Sequence, residues 1–335
     1  MHFKGRMRAT WISGTHPGYP VGVMHGWVAN TDFDWYQFLA GQGTIDEVNF
    51  WQPSGGHQSF RAIQPGEPFF FRLKSPRNAI AGFGFFARHV QAVRCSFAWA
   101  AFGIKNGAPD IETMRRRIER YRAPGSVRVG GDHEVGCLMI STPVFFPPEQ
   151  WIPQPADWQQ NIVQGKTYDL ALGEGRRVWE ACQQSGQLAE WLRRPQANDD
   201  DVPRYGEPQL VRPRLGQGSF RIAVSDAYGK ACAITNEHSL PVLEAAHIQP
   251  YGKQGPHEVS NGLLLRSDIH RLFDDGWVTV TPDFHFVVSR RLREEFDNGK
   301  TYYALDGHEM RLPRDPLDHP LPAFLRWHNE EVFRC

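Results

Sequence analysis

Residues 243–250 read Leu-Glu-Ala-Ala-His-Ile-Gln-Pro, residues 260–265 read Ser-Asn-Gly-Leu-Leu-Leu, and residues 268–274 read Asp-Ile-His-Arg-Leu-Phe-Asp. The first segment predicts a short strand that ends at His247, because proline and glycine follow it closely. The second predicts the partner strand, from Gly262 to Leu265, and the third predicts a short helix. These three segments therefore predict a β-hairpin followed by a helix, with polar side chains at fixed places along it.

Two side chains of the predicted helix, His270 and Asp274, are four residues apart and so lie on one face. An imidazole and a carboxylate together suit a divalent cation such as Mg²⁺, Mn²⁺, Ni²⁺ or Zn²⁺, without selecting one of them. The segment therefore predicts a divalent-metal site on this helix.

This stretch resembles the HNH family of the ββα-metal nucleases, over roughly residues 214–280. The resemblance implies that His247 removes a proton from water, that Asn261 orients the loop and its histidine, and that His270 binds the metal. Asp274 stands where some members, such as the colicin nucleases, have a second helix ligand. The activity implied is metal-dependent endonucleolytic hydrolysis of phosphodiester bonds.

One position departs from the family pattern. Many HNH enzymes have Asp or His immediately before the general base, as a further metal ligand, whereas this chain has Ala246. Three compensations are open: Asp274 supplies the ligand, Glu244 reaches in, or water completes the coordination. The helical spacing favours Asp274.

The region from residue 20 to about residue 175 has short apolar runs bounded by Gly, Pro and Asn, which is typical of β-strands. Two helices are predicted between them, Phe33–Leu39 and Ile111–Tyr121. Asp32 is a plausible N-cap for the first, and Pro109 and Asp110 lie at the start of the second.

Two segments of this region resemble the PUA-like superfamily, which includes the SRA and EVE domains. They are a Pro-Gly-Glu turn that leads into an apolar strand (residues 64–74) and an Ile-x-Gly-x-Gly strand (residues 80–86). The resemblance implies a small β-barrel that reads a modified or flipped base. A flipped base needs aromatic faces and a few polar groups. The candidates are Trp51, Asn49, Trp35, Asp46 and Gln52, with Trp51 and Asn49 ranked first; the alternative for most of the aromatics is ordinary core.

The helix predicted from Ile111 carries five arginines in eight residues, Arg115 to Arg122. These include Arg115 and Arg116, which would give a basic rim for DNA phosphates. The alternative is an ordinary solvated helix face.

Composition bounds the class of protein. The chain has 335 residues, 41% hydrophobic and 22% charged, with as many basic as acidic side chains, which predicts a globular protein and gives no hint of a polyanionic partner. Its five cysteines form no CxxC pair, so a disulfide framework is not expected and a reducing cytoplasm is. Neither a signal peptide nor a membrane span is predicted.

Residues 193–203 are polar and flanked by prolines, and they form the best linker in the chain. We therefore predict an α+β protein in three parts. Residues 1–175 form a PUA-like β-barrel with flanking helices, residues 176–203 a helical segment and linker, and residues 204–335 a ββα-metal HNH domain.

A base reader joined to an HNH domain resembles the modification-dependent restriction endonucleases. The hypothesis is an enzyme of phage defence that recognises a modified base, such as a modified cytosine, in double-stranded DNA and cuts nearby. One HNH site cuts one strand, so a homodimer is expected. The alternatives are a nuclease whose first domain senses another ligand, such as a nucleotide or RNA, and a catalytically dead HNH protein that only binds DNA.

Overall fold

The computed structural model describes residues 24–55, 59–122, 128–184 and 215–335. The linker predicted at residues 193–203 lies outside these ranges, as does the end of the helical stretch before it. The boundary between the two predicted domains therefore stays a prediction.

A seven-stranded sheet organises the first part of the chain. Its strands follow the order β2-β5-β4-β3-β1-β7, and β6 pairs with β4. β1 and β3 run parallel, whereas the other neighbours run antiparallel. The strands are β1 His25–Thr31, β2 Glu47–Gln52, β3 Pro68–Leu73, β4 Ala79–Arg94, β5 Glu134–Phe145, β6 Ile152–Pro153 and β7 Gly165–Asp169.

The sixteen-residue strand β4 is the longest strand of the sheet, and its pairing with β5 shifts register at three places. Gly82, on the segment predicted as an Ile-x-Gly-x-Gly strand, has φ +157°. A Cβ there would lie 2.2 Å from the carbonyl oxygen of Val144, so the close approach of β4 and β5 requires a glycine. Register shifts of this kind bend a sheet around its core.

Four helices accompany this sheet: α1 Phe33–Ala40, α2 Cys95–Phe102, α3 Ile111–Glu119 and α4 Gly173–Gln184. Both helices predicted in this region are present, and α3 ends two residues earlier than predicted. The Asp110 carboxylate caps α3 by accepting a hydrogen bond from the Thr113 backbone N–H at 2.6 Å. Helices α1 to α3 cover a core rich in aromatic side chains on one side of the sheet, and α4 covers the other side.

The second part of the chain contains the predicted hairpin and helix. Its helices are α5 Gln217–Ala227, α6 Ser267–Asp274, α7 Arg290–Phe296, α8 Lys300–Tyr303 and α9 Pro322–Glu331. Strands β8 Leu243–His247 and β9 Gly262–Arg266 pair antiparallel, as do β10 Val278–Val280 and β11 Phe286–Val288. The predicted α+β fold class is confirmed.

Helix α5 connects the two parts. Its residue Ile222 belongs to the core of the first sheet, while Phe220 and Val224 belong to the core around β8 and β9. The buried Glu47 carboxylate on β2 accepts hydrogen bonds from the backbone N–H groups of Gly218 and Ser219, at 2.8 and 3.0 Å. The start of α5 is therefore held by the first part of the chain.

No helix within the described ranges combines the length and the apolar character that crossing a membrane requires.

The buried His328 on α9 forms hydrogen bonds to two other elements of the second core. Its Nε2 lies 3.0 Å from the Phe273 carbonyl oxygen, to which it donates, so Nδ1 accepts from the Thr279 hydroxyl at 2.8 Å. This arrangement holds a neutral imidazole, and burial lowers the pKa of His328 to about 4.

We predict that this histidine makes the protein less stable in mild acid. Between its folded-state pKa near 4 and the ordinary value of 6.5, the unfolded chain binds the proton and the folded chain does not. The free energy of unfolding therefore decreases as the pH is lowered through this window, by on the order of 3 kcal/mol for this group. Urea unfolding at pH 7.5 and 5.0 measures the loss, which His328→Gln should reduce and the exposed control His308→Gln should leave unchanged. An equal loss in His328→Gln and wild type would contradict the prediction.

Candidate active site

The β8–β9 hairpin places His247 at the end of a strand, as predicted, opposite Gly262. The preceding residue, Ala246, is fully buried in the second core. A carboxylate at that position would be buried without water, at a large cost in free energy. The departure from the family pattern therefore agrees with the packing at this position, and an acidic ligand has to come from another residue of β8 or from a neighbouring element.

Asn261 is fully buried and ties the loop between the two strands together. Its side-chain oxygen accepts a hydrogen bond from the backbone N–H of Gln249 at 2.9 Å. Its amide nitrogen donates to the carbonyl oxygens of Gln249 and Pro256, both at 2.9 Å. These contacts fix the backbone two residues beyond His247, which agrees with the orienting role that the family resemblance implies.

Two rings hold the imidazole of His247. Phe220 on α5 stacks on it, with ring centroids 3.8 Å apart and planes 10° from parallel. His257 lies at its edge, with Nδ1 at 3.1 Å from Nε2 of His247. Burial lowers the pKa of His247 to about 4, and His257 and His270 add to the effect. The side chain is therefore neutral at pH 7, as a general base must be.

The role of His257 is not predicted from the sequence, because a single histidine in a loop is more often at the surface or in the core. One signal was available: it lies in the same loop as His247, ten residues further on.

His270 has a carboxylate at each ring nitrogen. Nδ1 lies 2.6 Å from Oε2 of Glu244 on β8, and Nε2 lies 3.3 Å from Oδ2 of Asp274. Both carboxylates named as alternative ligands thus reach the same imidazole. With its proton on Nδ1, His270 donates a hydrogen bond to Glu244 and turns the lone pair of Nε2 towards Asp274. A divalent cation could bind between this nitrogen and the Asp274 carboxylate.

Within the ranges that the structure describes, no group of three or more His, Cys, Asp or Glu side chains is arranged to hold a metal ion. The residues present fit a cation held by His270 and one carboxylate, with water or substrate as the remaining ligands. HNH nucleases in general use a divalent metal.

These side chains surround one cavity of about 490 Å³. Its lining includes His247 and Phe220 together with His270, Asp274 and Glu244. The general base and the candidate metal ligands therefore face a shared space in which a scissile phosphate would fit.

A second cavity, of about 300 Å³, lies in the first sheet. Its lining is largely aromatic, with polar groups from four directions: Trp27, Asn30, Asp32, Trp35, Phe50, Trp51, Gln52, Pro53, Ser54, Phe60, Lys74, Tyr121, Leu138, Val163 and Gln164. We call it the aromatic pocket. It contains three of the five residues predicted for base binding, Trp35, Trp51 and Gln52.

Two residues that line the aromatic pocket each have a buried polar atom without a hydrogen-bond partner in the described part of the chain: the donor Nε1 of Trp35 and the acceptor Oε1 of Gln52. Nε1 of Trp35 packs against Gly107, which does not line the pocket. Leaving a buried group unpaired costs about 1–3 kcal/mol, so the Gln52 acceptor favours a ligand with a donor at this place. Trp51 is different, because its indole N–H donates to the Asn106 carbonyl oxygen at 3.0 Å.

The other two predicted base-binding residues lie elsewhere. Asn49 is fully buried and donates to the Asn106 side chain at 2.8 Å, outside the aromatic pocket. Asp46 pairs with Lys105 at 2.7 Å. Asn49 shares one face of β2 with Glu47 and Trp51, and both Asn49 and Trp51 bond to Asn106, whereas Gln52 lies on the opposite face.

The predicted phosphate contacts on α3 also differ from each other. Arg115 is partly buried and makes a side-chain hydrogen bond to Cys95, whereas Arg116 is exposed and donates to the Thr113 hydroxyl at 2.8 Å. Arg116 is thus the one of the two that presents its guanidinium to solvent.

Comparisons with known proteins agree with this site. Residues 232–281 match the family model "HNH endonuclease", so this part of the chain is an HNH endonuclease domain, as predicted. A search of curated proteins found no significant match.

Two solved structures show partial likeness. One is a "Modification dependent TagI restriction endonuclease", 25% identical with a TM-score of 0.26, over 36% of this chain and 38% of that one. The other is ASCH from Zymomonas mobilis, 11% identical with a TM-score of 0.30, over 46% of this chain and 94% of that one. The chain therefore spans less than half the length of the restriction endonuclease.

We predict that metal affinity depends more on Asp274 than on Glu244. Asp274→Ala and His270→Ala each remove a metal ligand and should weaken binding most. Glu244→Ala removes the group that orients His270, and loss of such a group typically lowers metal affinity by about 10- to 100-fold. Calorimetric titration with Mn²⁺ measures each dissociation constant without any need for cleavage. If Asp274→Ala binds Mn²⁺ as wild type does while Glu244→Ala does not, the ligand assignment is reversed.

Proposed function

We propose that this chain is a modification-dependent DNA endonuclease: the first domain recognises a modified base in duplex DNA, and the HNH domain cuts nearby. The observation that carries the nuclease function is the shared cavity, which is lined by neutral His247 and by His270 with its two carboxylates. This arrangement suits hydrolysis of a phosphodiester bond by activated water.

In this mechanism His247 accepts a proton from water through its free ring nitrogen. The hydroxide oxygen then bonds to phosphorus, the bond from phosphorus to the leaving oxygen breaks, and that oxygen takes a proton from solvent. Asn261 keeps His247 in place through the loop. His270 and Asp274 would hold a divalent cation, which would supply positive charge to the phosphate.

His247→Ala should abolish cleavage of plasmid DNA and leave folding and DNA binding largely intact. Loss of a general base costs about 10²–10⁴-fold in rate. Single-turnover nicking of supercoiled plasmid with Mg²⁺ or Mn²⁺ measures the rate, and circular dichroism and a gel-shift assay check folding and binding. His308→Ala, at an exposed position, serves as the matched control, and a near wild-type rate in His247→Ala would refute the assignment.

The aromatic pocket supports the reader function. It offers aromatic faces for stacking and an unpaired acceptor on Gln52, which suit a flipped base. A donor on a base edge, such as the amino group of cytosine and its 5-modified forms, would pair with this acceptor. Arg116 and its neighbours on α3 lie next to Tyr121 of the pocket rim and would contact phosphate.

Gln52→Met should separate recognition from stability. The variant keeps the size of the side chain and removes an acceptor that has no partner in the described structure, so the melting temperature should not fall. Affinity for duplex carrying the recognised base should fall by about 3- to 10-fold, the value of one hydrogen bond. Fluorescence anisotropy on matched duplexes with cytosine, methylcytosine and hydroxymethylcytosine measures this preference.

Arg116→Ala is the matched control for that experiment. It should weaken binding of modified and unmodified duplex equally and reduce the salt dependence. Equal affinity of the wild type for all the duplexes would instead favour a first domain that senses another ligand, such as a nucleotide or RNA.

Double-strand cleavage needs two HNH sites or two successive nicks, so the proposal includes a homodimer on DNA. Light scattering with and without a cognate duplex tests this, and a monomer in both would leave successive nicking.

A further inference from the structure

His257 touches the general base from behind. Its Nδ1 lies 3.1 Å from Nε2 of His247, and the two rings are nearly perpendicular, at 85°. His247 lines the active-site cavity and His257 does not. The contact therefore occupies the ring nitrogen of His247 that is turned towards the protein.

Other rings fix this pair on several sides. The ring centroids of Phe220 and His257 are 5.9 Å apart with the planes nearly perpendicular, while the face of Phe220 covers His247. Tyr251 lies 4.9 Å from His257. Neither imidazole is free to rotate without disturbing these contacts, so the geometry of the pair is set by packing.

A contact between two neutral imidazoles needs one donor and one acceptor. If His257 donates from Nδ1, His247 carries its proton on Nδ1 and has no lone pair left for water. If His247 donates from Nε2, its Nδ1 is free to accept a proton. Nδ1 of His247 has no hydrogen-bond partner among the described residues, so this nitrogen remains available to water.

Building on the nuclease function proposed above, we propose that His257 is a positioning residue: its Nδ1 accepts the Nε2–H of His247 and fixes the tautomer in which Nδ1 of His247 removes the proton from water. The arrangement corresponds to a histidine whose second nitrogen is held by an acceptor. The accepted proton makes His247 a cation, whose Nε2–H then donates more strongly to His257.

The charges around the pair favour the uptake of a proton by His247. Burial lowers the pKa of His257, while Glu47 and Asp46 of the first part of the chain act to raise it. The negative field of these two carboxylates stabilises the positive charge that develops on the pair. His270 acts in the opposite sense on His247.

Two variants of His257, one that keeps the ring and one that keeps the acceptor, separate positioning from packing. His257→Phe keeps a ring and removes the acceptor, whereas His257→Asn offers its side-chain oxygen near the position of Nδ1. We expect His257→Phe to lower kcat for plasmid nicking by about 10- to 100-fold with little change in KM, as for other groups that orient a functional histidine. His257→Asn should stay within about threefold of wild type, and His308→Asn is the control.

A second readout does not depend on cleavage. Nitrogen-15 NMR of the full-length protein, with histidine labelled in the ring, distinguishes protonated from unprotonated nitrogens. It should show His247 with its proton on Nε2 in the wild type and in His257→Asn, and a mixture of tautomers in His257→Phe.

The two readouts keep the failures apart. If wild type cleaves no DNA but shows the expected tautomer, the nuclease function fails and the contact stands. A proton on Nδ1 of His247, a wild-type kcat in His257→Phe, or equal damage in His257→Asn and His257→Phe would each overturn the positioning role.

Discussion

The buried carboxylate of Glu47 is the contact on which the arrangement of the two parts depends. It accepts hydrogen bonds from two backbone N–H groups at the start of α5, lies 3.3 Å from the Lys105 ammonium group and also accepts from the Ser219 hydroxyl. The first N–H groups of a helix have no partner within the helix and carry its positive end, so an anion there is doubly favourable. A Cβ at Gly216 would lie 2.2 Å from this carboxylate, so the approach also requires a glycine.

This contact joins two sites that are far apart in sequence. Strand β2 carries Glu47 at one end and Gln52 of the aromatic pocket at the other. Helix α5 carries Phe220, which stacks on the general base. Packed groups on β2 and α5 therefore connect the aromatic pocket with the ring that holds His247 in the active site. Ile222 makes α5 part of the first core as well. A linker region identified from composition says nothing about such docking.

The nuclease site itself is built by covering one surface of a small hairpin. Ala246 is buried in the core, so the acidic groups come from Glu244, an exposed residue two positions earlier on β8, and from Asp274 on the helix that follows β9. The loop that Asn261 ties together also brings His257 to the back of His247. The hydrophobic surroundings that keep His247 neutral are the same ones that fix its orientation.

The sequence by itself determined the parts of the site that lie within one short segment. The strand end at His247, the loop residue Asn261 and the shared face of His270 and Asp274 follow from spacing along a hairpin and a helix, because those periodicities are fixed by local backbone geometry. Strands β3 and β4 and helices α1 and α3 of the first part were predicted for the same reason, whereas α2, β1 and β7 were not predicted.

Only the tertiary structure decided which side chains from different segments meet. It placed His257 against His247, Glu244 against His270 and Glu47 against α5, and it turned Asn49 into the core while leaving Gln52 in the pocket. Asn49 and Trp51 had looked equivalent in sequence. Which face of a strand becomes a pocket, and which polar atom there stays unpaired, depends on the elements packed against that strand, and the order of residues along the strand does not contain that information.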